Sequence, residues 1–187
     1  MLAASAAFVN CVGGVNGDNP TEISGSDIDD AVRALRTADG RPFLDEIYGD
    51  NRFGSAPVRN SYLALASTQI ESELNNVPGF IHASQYPNPN GPLESEYGSV
   101  RGLRFLTSSN GSVTATSSNL GADVYNVFCV AVQGYACVEQ TDYSAQFIYN
   151  GPELNGPLRL NSTAGYKFGE VPVILQDSWV LNLRCTL

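Results

Sequence analysis

A series of short runs rich in β-branched and aromatic residues in the second half of the chain constrains the fold most. These runs are bounded by Gly, Asn and Pro, which favour turns, and they predict a β-rich region from residue 99 onward. Their sequences are VRGLRFL, VYNVFCVAV, YACVE, YSAQFIYN and VPVILQDSWVLNLRCTL. In the last run, residues 171–175 are continuously apolar and residues 179–184 alternate loosely. We therefore expect a strand that enters a core at 171–175 and leaves it at a sheet edge.

Helical patterns dominate the first half of the chain. The segment SGSDIDDAVRALRTADG predicts a helix with Ser26 as its N-cap and Gly40 just beyond its end. Its apolar residues share one face at helical spacing: Ile28, Ala31, Val32 and Leu35. The opening LAASAAFVN is expected to be the end of another helix.

A strand followed by a helix is predicted for the next segment. SYLALAS is a short apolar run of strand length, and TQIESELNN follows with Thr68 as the expected cap. Ile70 and Leu74 lie four residues apart, as on one helix face. The proline-rich stretch HASQYPNPNGPLESEYG, which contains Tyr86, predicts an extended exposed loop, and TSSNGSVTATSSNLGAD predicts a polar linker in solvent.

Composition argues against several classes of function. The formal net charge is -9, so the chain lacks the basic footprint of a tight nucleic-acid binder. It has a single histidine, His82, and four widely spaced cysteines, so we expect no metal site, no cofactor and no catalytic centre. The cysteines are expected to be buried and reduced; Cys129 and Cys137 could be joined only if two strands brought them together.

The order of these segments resembles the C-terminal half of tailed-phage major capsid proteins with the Hong Kong 97 fold, in the coat-protein branch of large podoviruses. YLALASTQIESEL, EYGSVRGLRFLTSSN and VPVILQDSWVLNLRC carry the resemblance. It implies an α+β fold with an axial domain and part of a peripheral domain. Residues 1–55 would hold the end of the spine helix and a second helix of the peripheral domain, 56–138 the axial domain, and 139–187 the return strands of the peripheral domain.

The resemblance also implies partners. They are other copies of the chain in pentamers and hexamers, portal and scaffolding or cement proteins, and packaged DNA bound only non-specifically, with no membrane. The expected location is the virion, after assembly in the host bacterial cytoplasm. The acidic charge agrees with a DNA container that does not trap its genome.

Three residues are predicted to lie at subunit contacts. In SEYGSVRGLRFL, Leu103 and Phe105 share one face of a strand and are expected in the core, which leaves Arg101 and Arg104 for partners. We expect one or both arginines to pair with acidic residues of an adjacent copy. Tyr86 is assigned to the same kind of contact.

Two other functions remain as alternatives. A carbohydrate-binding β-rich domain on a virion surface or in a secreted protein would use some of the nine tyrosines or Trp179, although the tryptophan lies in an apolar strand pattern that favours a core position. A hydrolase would need paired carboxylates facing a cleft, for which Glu94 with Glu96, or Asp45 with Glu46, are the candidates.

Overall fold

A computed structural model describes residues 7–11, 20–43, 60–86, 93, 95–115, 122–139, 145–152 and 161–187. Most of the described secondary structure is β-strand, with few helices. The chain divides into two compact units, one formed by residues 1–134 and 175–187 and the other by residues 135–174.

The described α-helices lie in the first unit. Helix α1 spans Gly25–Thr37, and helix α2 spans Glu71–Asn76 directly after a 3₁₀ turn at Thr68–Ile70. Further 3₁₀ turns occupy Ala83–Gln85 and Asp177–Trp179.

The strands of both units are numbered in chain order. They are β1 (Ala7–Asn10), β2 (Tyr62–Ser67), β3 (Ile81–His82), β4 (Glu96–Val100), β5 (Leu103–Ser108), β6 (Val113–Thr114), β7 (Val124–Val130), β8 (Tyr135–Glu139), β9 (Gln146–Asn150), β10 (Thr163–Lys167), β11 (Glu170–Ile174) and β12 (Val180–Cys185).

One mixed sheet forms the framework of the first unit. Its order is β1-β12-β7-β2-β5-β4-β3, with β6 paired to β7 beside this path. The β1–β12 and β2–β5 pairs are parallel, and the other pairs are antiparallel. All seven residues of β7 are buried, so β7 is the most enclosed strand of this sheet.

The core lies between α1 and one face of this sheet. The predicted apolar face of α1 is confirmed, since Ile28, Ala31, Val32 and Leu35 are all buried. The C-terminal end of α1 is tied to the sheet region by two bonds: the Tyr62 hydroxyl donates to the carbonyl of Gly40, and the Trp179 indole N–H donates to that of Ala38, both at 2.8 Å. The helix is thereby held against the sheet.

The helix starts differ from the predictions by one or two residues. Ser24, not Ser26, is the N-cap of α1, and its backbone N–H donates to the Asp27 carboxylate at 3.0 Å. Ser67, not Thr68, caps the turn that precedes α2, because its side chain accepts the backbone N–H of Gln69. In both cases the serine that forms the N-cap has extended φ and ψ angles, as N-cap residues usually do.

Two larger predictions are wrong. The segment expected to end a helix contains strand β1, whose backbone pairs from Ala7↔Leu181 to Asn10↔Arg184 with a strand at the other end of the chain. The prediction for the last run is wrong at both ends. Strand β12, expected at a sheet edge, lies inside the sheet between β1 and β7, while Val171 and Val173, expected in the core, are exposed. Long-range pairing decided the places of β1 and β12 in the sheet, and local periodicity does not report such pairing.

The predicted loop around Tyr86 is more ordered than expected. Tyr86 is buried, and Glu96 begins strand β4. Val113 and Thr114, in the segment predicted as a polar linker, form a short strand against β7. Residues 87–92, 94 and 116–121, which belong to the same two predictions, lie outside the described residues.

The described strands of the second unit form two antiparallel ribbons. Strand β9 pairs with β10 from Gln146↔Lys167 to Asn150↔Thr163, and β8 pairs with β11 from Tyr135↔Ile174 to Glu139↔Glu170. The second compact unit thus spans residues 135–174, and the first contains the rest of the chain. The assignment of residues 1–55 and 139–187 to a peripheral domain, and of residues 56–138 to an axial domain, stays a prediction.

Candidate functional site

Strands β4 and β5 form a hairpin that positions both predicted arginines. Arg101 and Gly102 make its two-residue turn, and both have positive φ, 49° and 93°, as tight hairpins with right-handed twist require. Leu103 and Phe105 point into the core, as predicted. Arg104 therefore lies on the opposite face of β5.

Arg101 pairs with a carboxylate of its own chain. Its guanidinium forms a salt bridge with Asp29 of helix α1, and both side chains remain partly exposed. The first residue of α1 is Gly25, where an added Cβ would lie 2.9 Å from the Arg101 guanidinium carbon. The helix start and the hairpin turn are consequently in close contact.

Arg104 is held by a two-bond contact to Glu96 across the hairpin. Nη2 of Arg104 lies 2.6 Å from Oε2 of Glu96, and Nε lies 3.0 Å from Oε1. The Arg104 side chain is 11% exposed and the Glu96 side chain 0%. Such a bidentate geometry gives both charged groups hydrogen-bond partners where water is excluded.

Tyr86 completes this cluster. Its hydroxyl donates to Oε1 of Glu96 at 2.7 Å, and the backbone N–H of Leu93 donates to Oε2 at 2.8 Å. Burial opposes ionisation of Glu96, but the hydrogen bonds from Arg104, Leu93 and Tyr86 outweigh it and lower the pKa of this carboxyl. Burial, together with the bond to Glu96, raises the pKa of Tyr86 to about 12.

The three predicted contact residues thus have partners within the chain. The acidic groups that face Arg101 and Arg104 are Asp29 and Glu96, and Tyr86 and Arg104 are largely buried. A contact between any of the three and another copy stays a prediction. Of the three, Arg101 has the exposure to make one without a rearrangement.

Among the described residues, the most exposed large apolar side chains lie in the second unit, and the sequence analysis did not predict them. In the β9–β10 ribbon, Phe147 is 74% exposed and Tyr166 72%, and they form a cross-strand pair. Ile148 and Tyr149 are also exposed, so apolar side chains cover both faces of this ribbon. Phe168 stacks on Tyr166 with ring centroids 6.2 Å apart.

The β8–β11 ribbon adds exposed aliphatic side chains. Val138 and Val171 are a cross-strand pair, and Val173 lies two residues further along the same face. A usable signal existed in the sequence, since the uninterrupted apolar run Phe147–Ile148–Tyr149 must place apolar groups on both faces of any strand. A two-stranded ribbon cannot bury both faces by itself.

No catalytic or metal centre is evident in the described part of the chain. Its His, Cys, Asp and Glu side chains form no group of three or more that could hold a metal ion. The ring of His82 accepts the backbone N–H of Ser84 and packs edge-to-face on Tyr97. Of the candidate carboxylates, Glu96 is paired with Arg104, and Glu94, Asp45 and Glu46 lie outside the described residues.

A shallow groove of about 480 Å³ lies in the first unit. Its lining includes the apolar residues Leu65, Leu106 and Phe128 and small polar residues such as Ser108 and Asn110. It contains no ionisable side chain. None of the described helices is long and apolar enough to cross a lipid bilayer.

Comparisons with known proteins point to one kind of structure. No protein-family model matches the chain, and no curated protein sequence does. Its fold is similar to that of a chain in the head structure of Helicobacter pylori bacteriophage KHP40, with a TM-score of 0.51 and 9% sequence identity. The match covers 99% of this chain and 62% of that chain, so this chain spans less than two thirds of its structural neighbour. The fold therefore resembles that of a phage head protein.

Proposed function

We propose that the chain is part of a tailed-phage major capsid protein with a Hong Kong 97-type fold. It assembles with other copies of itself into the icosahedral shell that encloses the phage DNA. Its place is the virion, after assembly in the host bacterial cytoplasm. The role is structural, with no catalytic step and no cofactor. The likeness to a phage head chain supports the fold, and the surface of the second unit supports the self-association.

The apolar β9–β10 ribbon is the observation that carries this proposal. An isolated two-stranded ribbon is at best marginally stable in water. Here its exposed groups include Phe147 and Tyr166, and exposed apolar patches of this kind mark association surfaces. A shell subunit must repeat one contact many times, and ring closure by such a contact gives pentamers and hexamers. A second copy of the chain is therefore the proposed occupant of the ribbon.

The charge distribution agrees with this role. The described arginine pairs of the hairpin are internal, so they stabilise the subunit fold, and association is left mainly to apolar surface. With a net charge of -9, the chain contacts packaged DNA only non-specifically. Portal and scaffolding or cement proteins are the other proposed partners.

Assembly of ribbon variants tests the proposal. The chain is followed by sedimentation velocity and negative-stain microscopy over a range of concentrations, and the variant Phe147→Ser/Tyr166→Ser is compared with it. We expect ring-shaped or closed particles for the unchanged chain and a shift to monomer for the variant. Ile81→Ser is the matched control, because Ile81 is an exposed apolar residue of the first unit.

Two results would contradict the proposal. One is a chain that stays monomeric at high concentration. The other is a ribbon variant that assembles as well as the Ile81→Ser control.

A carbohydrate-binding domain is the second candidate function. The exposed rings of Tyr149 and Tyr166 favour it, since sugar rings stack on exposed aromatic faces. Trp179 does not, because it is partly buried against the core and its N–H is bonded to Ala38. A glycan array with specific hits from a monomeric chain would favour this candidate, and an array without hits together with visible particles would reject it.

A further inference from the structure

Two cysteines face each other at the end of the β1–β12 pair. The last paired residues of this parallel ladder are Asn10 and Arg184, and the backbone N–H of Cys11 donates to the carbonyl of Arg184 at 2.8 Å. The next residues along the two strands are Cys11 and Cys185. They come from opposite ends of the chain, so no local sequence motif joins them.

The spacing suits a covalent link. Neighbouring strands lie about 4.8 Å apart, which falls within the range of about 4.4 to 6.8 Å between the Cα atoms of disulfide-bonded cysteines. Cys11 is 0% exposed and Cys185 1%, and both belong to the same core cluster. A hydrogen bond with the Cys185 side chain, together with burial, raises the pKa of Cys11, which agrees with the adjacent positions of the two residues at the end of the ladder.

The other two described cysteines are less suitably placed for a disulfide with Cys185. Cys129 is buried in β7 opposite Leu181, which is roughly 13 Å from Cys185 along β12 at the usual rise per residue. Cys137 is exposed in the second unit, where its thiol donates to Glu170. All four cysteines are free thiols in this structure.

We propose that Cys11 and Cys185 form an intrachain disulfide when the protein meets a small-molecule disulfide oxidant such as oxidised glutathione. One thiolate attacks the oxidant, forms a mixed disulfide and releases one molecule of reduced glutathione. The second thiolate then displaces the other glutathione. The two protein thiols lose two electrons and two protons, and the oxidant becomes two molecules of glutathione.

Opening of the sheet edge controls the rate of this reaction. Both thiols are buried, so the oxidant reaches them only when β1 leaves β12. Thr21 holds this end closed, since its backbone N–H and hydroxyl both donate to the carbonyl of Cys11 and its own carbonyl accepts the N–H of Thr186. Once formed, the bond ties the two ends of the described chain together.

Mass spectrometry of the full chain tests the proposal. The variant Cys137→Ser, which lacks the exposed thiol and therefore avoids cross-links between chains, is incubated with oxidised glutathione at about pH 8.5, near the ordinary pKa of a thiol. It is then denatured, alkylated and digested. We expect a mass lower by two hydrogen atoms, one remaining alkylated thiol, at Cys129, and a peptide pair joined through Cys11 and Cys185.

Thermal unfolding gives an independent readout. The closed loop spans almost the whole chain, so oxidation should raise the melting temperature on the order of 10 °C. Reduction with dithiothreitol should reverse the shift. A concentration of urea below the unfolding transition should accelerate cross-linking, because it increases the open population of β1.

The main experiment replaces only the exposed Cys137 and leaves the buried cysteines unchanged, so a failure to form the link cannot be due to a damaged core. Stable glutathione adducts on Cys11 or Cys185 without a link would overturn the proposal. So would a link that uses Cys129, or full alkylation of all three thiols after exposure in urea. In the matched control Cys11→Ala/Cys137→Ser, Cys129 and Cys185 should both remain alkylatable.

Discussion

Glu96 and Arg104 form a buried bidentate ion pair across the β4–β5 hairpin, with the Glu96 side chain completely shielded from solvent. The Tyr86 hydroxyl also donates to Glu96, so the pair joins the start of the proline-rich stretch to the sheet. This contact lies within one chain. A substitution of Arg104 therefore lowers the stability of the subunit fold, so its effect on assembly does not by itself measure a contact between copies.

Replacement of Glu96 by Gln should destabilise the chain strongly. The Arg104 charge would stay buried without its counter-charge, which typically costs about 3 to 5 kcal/mol. Urea unfolding followed by circular dichroism measures the change. Arg101→Ala serves as the comparison, since it breaks a partly exposed pair and should cost less than about 1 kcal/mol. Equal losses for the two variants would contradict the assigned burial.

Stability should fall in acid because of Glu96. Its pKa is lower in the folded chain than the ordinary value of 4.5, so its contribution is present above pH 4.5 and is lost as the pH falls through the lowered value. Melting temperatures measured between neutral pH and pH 2 follow this loss. In Glu96→Gln the acid dependence should be shallower, and a curve of unchanged steepness would assign the effect to other carboxylates.

Tyr86 should produce a loss of stability in alkali. Its folded pKa of about 12 is above the ordinary value of 10, so its contribution is complete below pH 10 and disappears as the pH rises toward 12. The variant Tyr86→Phe keeps the ring and removes the titrating hydroxyl. We expect it to be less stable than the unchanged chain at neutral pH and to lose less between pH 10 and 12, as measured by urea unfolding.

Gly98 should not tolerate a side chain. A Cβ at this position would lie 2.5 Å from the carbonyl oxygen of Ile81, so strands β3 and β4 would have to separate. We expect Gly98→Ala to cost about 1 to 3 kcal/mol. Gly165→Ala is the control, because it lies in a strand where nothing occupies the space of the added Cβ. A loss of the same size in both variants would show that crowding at Gly98 is not responsible.

Arg101 is the residue on which the predicted contact with another copy is best tested. If it binds an acidic group of a neighbour, Arg101→Ala should slow assembly, measured by light scattering, and leave the melting temperature almost unchanged. Arg33→Ala is the matched control, since Arg33 is an exposed arginine of α1 that pairs with Asp30. Normal assembly of Arg101→Ala would reject the contact.

Local patterns predicted the elements whose partners are close in sequence. The face of α1 that includes Ile28 and Leu35, the strand Tyr62–Ser67 and the inward direction of Leu103 and Phe105 all follow from residue spacing. The likeness to a phage head chain agrees with the coarse prediction of a capsid-like fold, while the finer Hong Kong 97 assignment remains part of the proposed function.

Features that depend on distant partners were missed. An alanine-rich opening has helical propensity, and only the ladder between Asn10 and Arg184 makes it a strand. The contact between Cys11 and Cys185 has the same origin. The exposure of Val171 was missed for a different reason. A run of apolar residues predicts a core position, and the sequence alone does not show that such a run lies on the surface instead.

The parallel pairing of β1 with β12 has a consequence for synthesis on the ribosome. Residues 7–10 leave the exit tunnel long before residues 181–184, by roughly 10 to 35 s at usual rates of translation. During this interval the flank of β7 that later receives β12 stays open, and the early segment has no strand to join. We expect the nascent polypeptide to complete its sheet only after residues 180–185 have emerged, and that flank to be open to aggregation until then.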